Sequence, residues 1–450
     1  MTSPTLPPGP GRGLPFSRLL QFHRKGMLRL LGDLAAAHGD YVFFHAGRPM
    51  CLVGDPEAIR RIVVTDAAQF TKSHVLAGAK TALGEGLLTS DGDLHKRQRR
   101  LIAPAFHAQQ VKAYAADFVT QAQRTSDTWR DGQTVDLGQS MTELTLRVVT
   151  RSLFGTELEE DIGPIGRDMA TIVEMFERVR NPLGGVLDWL PLPSNRRFKA
   201  ALKRLDDRVH GMIAARQAGL EVADRFDFLS LLLMARDAHD AGGGGMTDLQ
   251  VRDEAVTLFM AGHETTANAL IWTWLQLAEN PPAEAALHAE LDEVLAGDRP
   301  ATADDMPRLR YTRAVLAESM RRRPPAWIIA RLCKAPYDVG PYRVPAGTTL
   351  LMSQYLVHHD PRWWPEPERF RPERWLEPDG ERPKYAYFPF GGGPRSCVGE
   401  PFAWLEAILL LATLAKRWRL TRADDTTVRL FPTITLRPKD PVRMTLHRRD

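Results

Sequence analysis

The stretch FPFGGGPRSCVGE, residues 388–400, holds one of only three cysteines among 450 residues. Glycines at 391, 392 and 393 permit positive φ and let backbone approach something bulky. Cys397 lies just before the start of a helix predicted from about Glu400. A thiolate there meets peptide N–H groups and the positive end of the helix, which lower a thiol pKa. The plain alternative is a free cysteine packed as a small hydrophobe. A packed cysteine needs neither a glycine triplet nor Arg395 two residues away.

Outward from the loop, the chain reads as mostly helical with small β-sheets. Helix-period segments are predicted at 15–38, 92–128, 138–154, 161–180, 195–216, 226–238, 307–323 and 400–417. YVFFHAGRPMCLVGDP (41–56) reads as a hairpin, and 327–336 and 342–352 as further strands. AHDAGGGGMTD (238–248) reads as a glycine-rich connector. Between Thr247 and Asn280 there is no proline, Thr247 and Gln250 have capping-box spacing, and Pro281-Pro282 closes the segment. That predicts a helix of about 33 residues, roughly 50 Å long.

Composition sets the bounds. The chain is 44% hydrophobic and 25% charged, with net charge +4, so a globular protein with ample core is expected. Mild basicity alone selects no partner. Cys51, Cys333 and Cys397 are odd in number and far apart, which argues against a disulfide framework and for a reducing, cytoplasmic compartment. MTSPTLPPGPGRGLPF has no apolar run before its prolines, so neither a signal peptide nor a membrane anchor is expected. No repeat or linker-like boundary divides the chain, so one domain over 1–450 is expected, with a Pro/Gly-rich segment at 1–14.

Three further motifs carry chemistry. In FMAGHETTANAL (259–270), Gly262 costs a helix interior about 1 kcal/mol relative to alanine. Thr265 and Thr266 can bond back to carbonyls four residues earlier, and Glu264 places a charge in a segment that looks buried. The functional reading is a groove where a small molecule meets backbone beside an acid and a hydroxyl. The bland one is a kinked helix with a solvated Glu264. His263 reads as structural. Glu318 and Arg321 share a helix face, as do His95 and Arg99 in DGDLHKRQRRLIAPAFH (91–107). Each pair alone is an ordinary surface feature.

In this order the motifs resemble the cytochrome P-450 family of haem-thiolate monooxygenases, over nearly the whole chain. Phe390-x-x-Gly393-x-Arg395-x-Cys397-x-Gly399 matches that family's haem-ligand loop, and Phe402, Ala403 and Glu406 continue the match. Ala261-Gly262-His263-Glu264-Thr265-Thr266 is similar to its oxygen-binding motif. Glu318-x-x-Arg321 with Phe370-Arg371-Pro372-Glu373-Arg374 is similar to its structural triad.

The resemblance implies a triangular haem domain with a long central distal helix and haem b held by Cys397 as axial thiolate. Phe390 and Gly399 would be among the haem-binding residues. Arg395, His95, Arg99 and Arg331 would bind the haem propionates. Many family members carry Trp where His95 stands, and histidine there serves the same role. Oxygen would sit beside Ala261 and Gly262, with Glu264 and Thr265 delivering protons. Glu318, Arg321 and Arg374 would be structural. The implied reaction inserts one oxygen atom of O2 into an apolar substrate such as a terpenoid, fatty acyl chain or steroid.

The chain shows no dinucleotide-binding glycine motif and no cysteine set for an iron–sulfur cluster. Electrons would therefore come from a separate ferredoxin or flavodoxin with its reductase, docking on Lys96, Arg97, Arg100, Arg382 and Lys384. No nucleic-acid partner is expected. The alternatives are a peroxide-driven enzyme or an isomerase, branches that usually lose the acid and alcohol that Glu264 and Thr265 retain, or a haem gas sensor. The substrate pocket is expected around Phe70, Val75, Leu76, Phe176, Leu187, Trp189, Leu190, Trp327, Ile328, Ile329 and Ile434.

Overall fold

The computed structural model describes residues 5–10, 26–155, 162–179, 192–219, 227–235, 244–297, 299–378 and 380–449. The expected helix start at 15–25, most of the 238–248 connector, and Leu187, Trp189 and Leu190 lie outside these residues, as does the Phe176 side chain.

The organising element is the helix Asp248–Ala278, 31 residues long. The Thr247 hydroxyl accepts from the Gln250 N–H and the Gln250 side chain accepts from the Thr247 N–H, a complete capping box. The helix is buried around most of its circumference, because other helices cover it on several sides. It packs on Leu137–Phe154, Pro193–Ala218, Arg310–Arg322 and Glu400–Arg417. Gly262 permits one close approach: a Cβ there would stand 3.2 Å from Val149 Cγ2.

Two of the predicted segments differ. The 92–128 segment is split into Gly92–Ile102, Ala108–Ala113 and Ala115–Thr128, with a tighter turn over Ala103–Phe106 where Pro104 stands. Pro281-Pro282 does not end the helical region. It opens a helix, Pro281–Val294, because proline fits the first turn, where its missing N–H is unneeded.

The principal sheet has five strands in the order Tyr41–His45, Pro49–Val53, Thr349–Met352, Ile329–Cys333, Phe70–Lys72. The first two strands form the expected hairpin, and Pro49–Val53 runs parallel to Thr349–Met352. At the far edge Lys72 pairs directly with Arg331. Like charges facing across a ladder are unfavourable, so this register needs an anion nearby. Among the described residues no helix is long and apolar enough to cross a membrane.

Candidate functional site

The cysteine loop is built by its glycines. Gly391 has φ 71° and Gly393 has φ 66°, conformations that L side chains avoid. A Cβ on Gly393 would stand 1.9 Å from the Val63 carbonyl oxygen, and one on Gly392 would stand 2.4 Å from the Tyr385 hydroxyl. The loop is closed by the Cys397 N–H donating to the Phe390 carbonyl at 3.0 Å. The Phe390 ring packs against Trp404, and Gly399 caps the helix Glu400–Arg417. His358 anchors the loop's start: its Nε2 accepts the Phe388 N–H at 3.0 Å.

Cys397 has accessible surface, yet protein surrounds it, so that surface faces inward. Burial pushes its thiol up to about 11, against the lowering effect of the Gly399 and Glu400 N–H groups and of Arg99. The expected depression by the helix start is therefore present but outweighed. A metal cation at the sulfur supplies the missing compensation, since coordination deprotonates a thiol outright.

The central helix borders open space over a short stretch. Ala261 is exposed and Gly262, Glu264 and Thr265 are partly so, although their neighbours along the helix are buried. The Thr265 hydroxyl donates to the Ala261 carbonyl at 2.8 Å, as expected. Thr266 does not bond back to its own helix. It donates to Glu406 Oε2 at 2.9 Å. Glu264 Oε1 accepts from the Thr435 hydroxyl at 2.7 Å. His263 is buried and bonds the Phe259 carbonyl, a structural role.

The cations expected near the propionates converge. Arg99 donates to the Ser396 carbonyl at 2.7 Å and to its hydroxyl at 3.1 Å, bracing the residue before Cys397. Arg395 donates to the Phe70 carbonyl and pairs with Asp91 at 2.5 Å, so its charge already has a carboxylate partner. Arg331 is buried, and among the described residues its side chain bonds only the adjacent Ala330 carbonyl.

Burial, then Arg395, pulls Arg331 down to about 10. Burial, then Lys72, Arg395 and Arg99, pulls His95 down to about 4. Lys72 was not foreseen. Burial brings it down to about 7, and its ammonium donates to the Leu87 carbonyl. Basic groups this crowded and this far from bulk water, with Asp91 the main acid among them, fit a group carrying carboxylates. The residues present therefore fit a haem: a sulfur on one side, a short open stretch of helix, and a cationic corner.

Glu318, Arg321 and Arg374 form the expected triad. Arg321 Nε and Nη2 each lie 2.9 Å from Glu318, and Arg374 Nε lies 3.1 Å from it. Trp375 and the Arg371 N–H add donors to the same carboxylate.

Two of the expected pocket residues are framework. Phe70 is fully buried edge-to-face against Tyr337, and Trp327 donates to the Thr433 carbonyl at 2.9 Å. Val75 and Ile434 are exposed, as a lining role requires. Thr435, Lys72 and His358 were missed because their partners are distant in sequence.

Comparison with known proteins agrees with this geometry. The family model for cytochrome P450 matches residues 7–446. Cyclooctatin synthase of Streptomyces melanosporofaciens is 40% identical, covering 98% of this chain and 95% of that protein. Cyclooctat-9-en-7-ol 5-monooxygenase of the same organism is 40% identical, covering 89% of this chain and 86% of that protein. Pentalenene oxygenase of Streptomyces avermitilis is 34% identical, covering 88% and 87%. A match of this extent, on a chain whose cysteine loop, cationic corner and buried triad meet as they do, establishes that the protein belongs to the cytochrome P450 family of haem b monooxygenases.

Proposed function

We propose that the chain is a single haem domain over 1–450 that hydroxylates an apolar, terpenoid-like hydrocarbon skeleton in the cytoplasm. Its electrons come from a separate ferredoxin or flavodoxin with its reductase. The substrate class is supported by relatives named for a cyclic alkenol and for pentalenene. It is also supported by the exposed apolar side chains of Val75 and Ile434. The observation that carries the reading is Cys397 in its glycine-shaped loop beside a corner where Arg331, Lys72, Arg99, Arg395 and a neutral His95 crowd together.

In this reading Cys397 Sγ would ligate the haem iron, with Phe390 and Gly399 holding its loop. Arg331, Lys72 and His95 would hold the propionates together with Arg99, while Arg395 ties the loop to Asp91 and would contribute less than its sequence position implies. When bound, the haem supplies reductive activation of O2 and insertion of one oxygen atom into a C–H bond. The open stretch at Ala261 and Gly262 leaves room for the small ligand. Thr265 Oγ1 holds a proton beside that space while bonded to the Ala261 carbonyl. Glu264 replenishes that proton, and the apolar lining excludes bulk water from the route. Glu318, Arg321 and Arg374 secure the loop's support.

The reduced carbon-monoxide complex tests the ligand. Cys397→Ala loses the strongly red-shifted Soret band of thiolate ligation, while Cys51→Ala and Cys333→Ala keep it. Retention of the band by the Cys397 variant rules this reading out.

A further inference from the structure

The turn at 433–435 has exposed Ile434 between two buried threonines. It is held from several sides. The Trp327 indole donates to the Thr433 carbonyl at 2.9 Å. The Thr433 hydroxyl and N–H both donate to the Thr435 carbonyl at 3.0 Å. The next residue is held too: the Leu436 N–H donates to the Pro325 carbonyl at 2.9 Å and the Trp272 indole to the Leu436 carbonyl at 2.9 Å. Such a turn is a rigid mount for whatever its side chains hold.

Thr435 holds Glu264. Its hydroxyl donates to Glu264 Oε1 at 2.7 Å, and Asn268 Nδ2 donates to the same hydroxyl at 3.2 Å. Asn268 follows Glu264 by four residues, so the two share a helix face. An amide N–H can only donate, so the Thr435 oxygen is its acceptor and the Thr435 proton is committed to Glu264. The chain N–H to O–H to carboxylate has one direction, and bonds aligned in this way polarise one another. No other hydrogen bond to Glu264 is recorded among the described residues, so Oε2 is the oxygen left to carry a proton.

Thr265 is the next residue along the helix, about 100° around its axis, with its hydroxyl turned onto the Ala261 carbonyl. A carboxylate free to rotate would present either oxygen and lose time in unproductive rotamers.

We infer that Thr435, oriented by Asn268, is a positioning residue that commits Glu264 Oε1 and leaves Oε2 as the proton-carrying oxygen facing the Thr265 route. The inference rests on the proposed role of Glu264 in proton delivery. It also joins that acid to a turn whose neighbouring side chain, Ile434, is exposed where substrate is expected, so a badly seated substrate disturbs both.

The test uses the haem-loaded protein with Thr435→Val, which keeps the shape and removes the hydroxyl, and Thr435→Ser, which restores it. Product formed per reducing equivalent falls by roughly tenfold in the valine variant. The solvent deuterium isotope effect on turnover grows, and the serine variant recovers both. Substrate affinity, read from the spin-state shift, stays within about twofold of wild type in all of them.

Without turnover, infrared difference spectra against Glu264→Gln locate the carboxylate band, which shifts in the valine variant and not in the serine variant. In the Glu264→Gln background the valine change has no further effect on coupling. Full coupling in Thr435→Val, or an equal loss with and without Glu264, overturns the inference while leaving Glu264 as the acid. Full coupling in Glu264→Gln itself overturns both.

Discussion

The Arg321 guanidinium donates to the His358 carbonyl at 2.7 Å, which ties the buried triad to the cysteine loop. His358 in turn accepts the Phe388 N–H, where that loop begins. Arg321 also donates to the Pro367 carbonyl at 2.7 Å and stacks over Trp364 at 5.2 Å. The triad thus fixes the coil before the loop, and the loop fixes the sulfur.

Breaking this pair is expected to be costly. Burial alone would raise the Glu318 carboxyl, but Arg321, Arg374 and the Arg371 N–H hold it below its ordinary value. Glu318→Gln leaves two buried guanidinium groups under-compensated and costs about 3–5 kcal/mol in chemical denaturation. Because the folded value is the lower one, the carboxylate's contribution is complete above the unfolded value of about 4.3. It is lost as pH falls through the folded value, so the gap between Glu318→Gln and wild type narrows in acid. A gap independent of pH there would show that the charge on Glu318 is not what stabilises the coil.

The cationic corner gives a prediction of opposite sign for the two forms of the protein. Arg331 is buried, has no ion pair among the described residues, and faces Lys72 across the sheet edge, with Asp91 the acid that acts on it. Arg331→Met removes that strain, so the haem-free chain becomes more stable by about 1 kcal/mol or more. The same change removes a propionate partner, and haem is lost faster to an acceptor protein. Haem binding near pH 7 also takes up protons, because anions raise Lys72 from about 7. Calorimetry in buffers of different ionisation enthalpy reads that uptake, and its absence would place the carboxylates elsewhere.

The sequence carried the loop, the triad and the central helix because each is written in consecutive or helix-spaced residues. Thr247 and Gln250 predicted the cap that is found. Proline was legible less fully: Pro281-Pro282 marked an end correctly and hid the helix Pro281–Val294 that starts there. What escaped notice depends on register between distant strands or on helix packing. Lys72 matters because the sheet places it opposite Arg331, and the sequence named Glu406 but not its partner Thr266, which helix packing brings to it. Arg395 was expected to meet a haem propionate, and its carboxylate in the fold, Asp91, lies 304 residues away in sequence.

Two buried acids predict a stability profile. Burial pushes Glu254 and Glu406 up to about 8, with Thr266 the partner of Glu406 and the Leu87 N–H a partner of Glu254. Their folded values lie above the unfolded one, so the folded state holds the proton longer. Stability is then highest below about 4.3 for these groups and declines as pH rises from there to about 8. Glu254→Gln and Glu406→Gln should each flatten the fall of melting temperature across that window. An unchanged slope in both variants would mean that the acids are ionised in the fold.

Proton delivery is tested by its two proposed carriers. Thr265→Ala still binds haem and substrate but releases most reducing equivalents as peroxide, because the hydroxyl beside the open stretch is gone. Glu264→Gln slows turnover by roughly 10²-fold, within the range of a general acid. Peroxide yield, product yield and reductant consumption measured together separate the two. Tight coupling in both variants would remove this pair from the mechanism.

Electron delivery is expected to depend on salt less steeply than the cation count suggests. Lys96, Arg97 and Arg382, three of the residues expected to form the docking face, are engaged with the protein itself. Lys96 pairs with Asp93 at 2.9 Å, Arg97 donates to the Gly244 and Gly245 carbonyls, and Arg382 stacks on Trp364 at 4.1 Å. Exposed pairs such as Lys96 with Asp93 are weak and exchange readily for a partner's carboxylates. Arg97 is a brace, and its reversal would disturb the entry to the central helix. Lys96→Glu therefore isolates docking: it slows reduction by an acidic ferredoxin about threefold to tenfold at low salt and leaves the substrate-induced spin shift unchanged. Raising salt from 0.1 M to 1 M shortens the Debye length from about 10 Å to about 3 Å and should erase the difference. Reduction rates against ionic strength for wild type and Lys96→Glu decide the matter, and superimposable curves would move the docking surface off this helix.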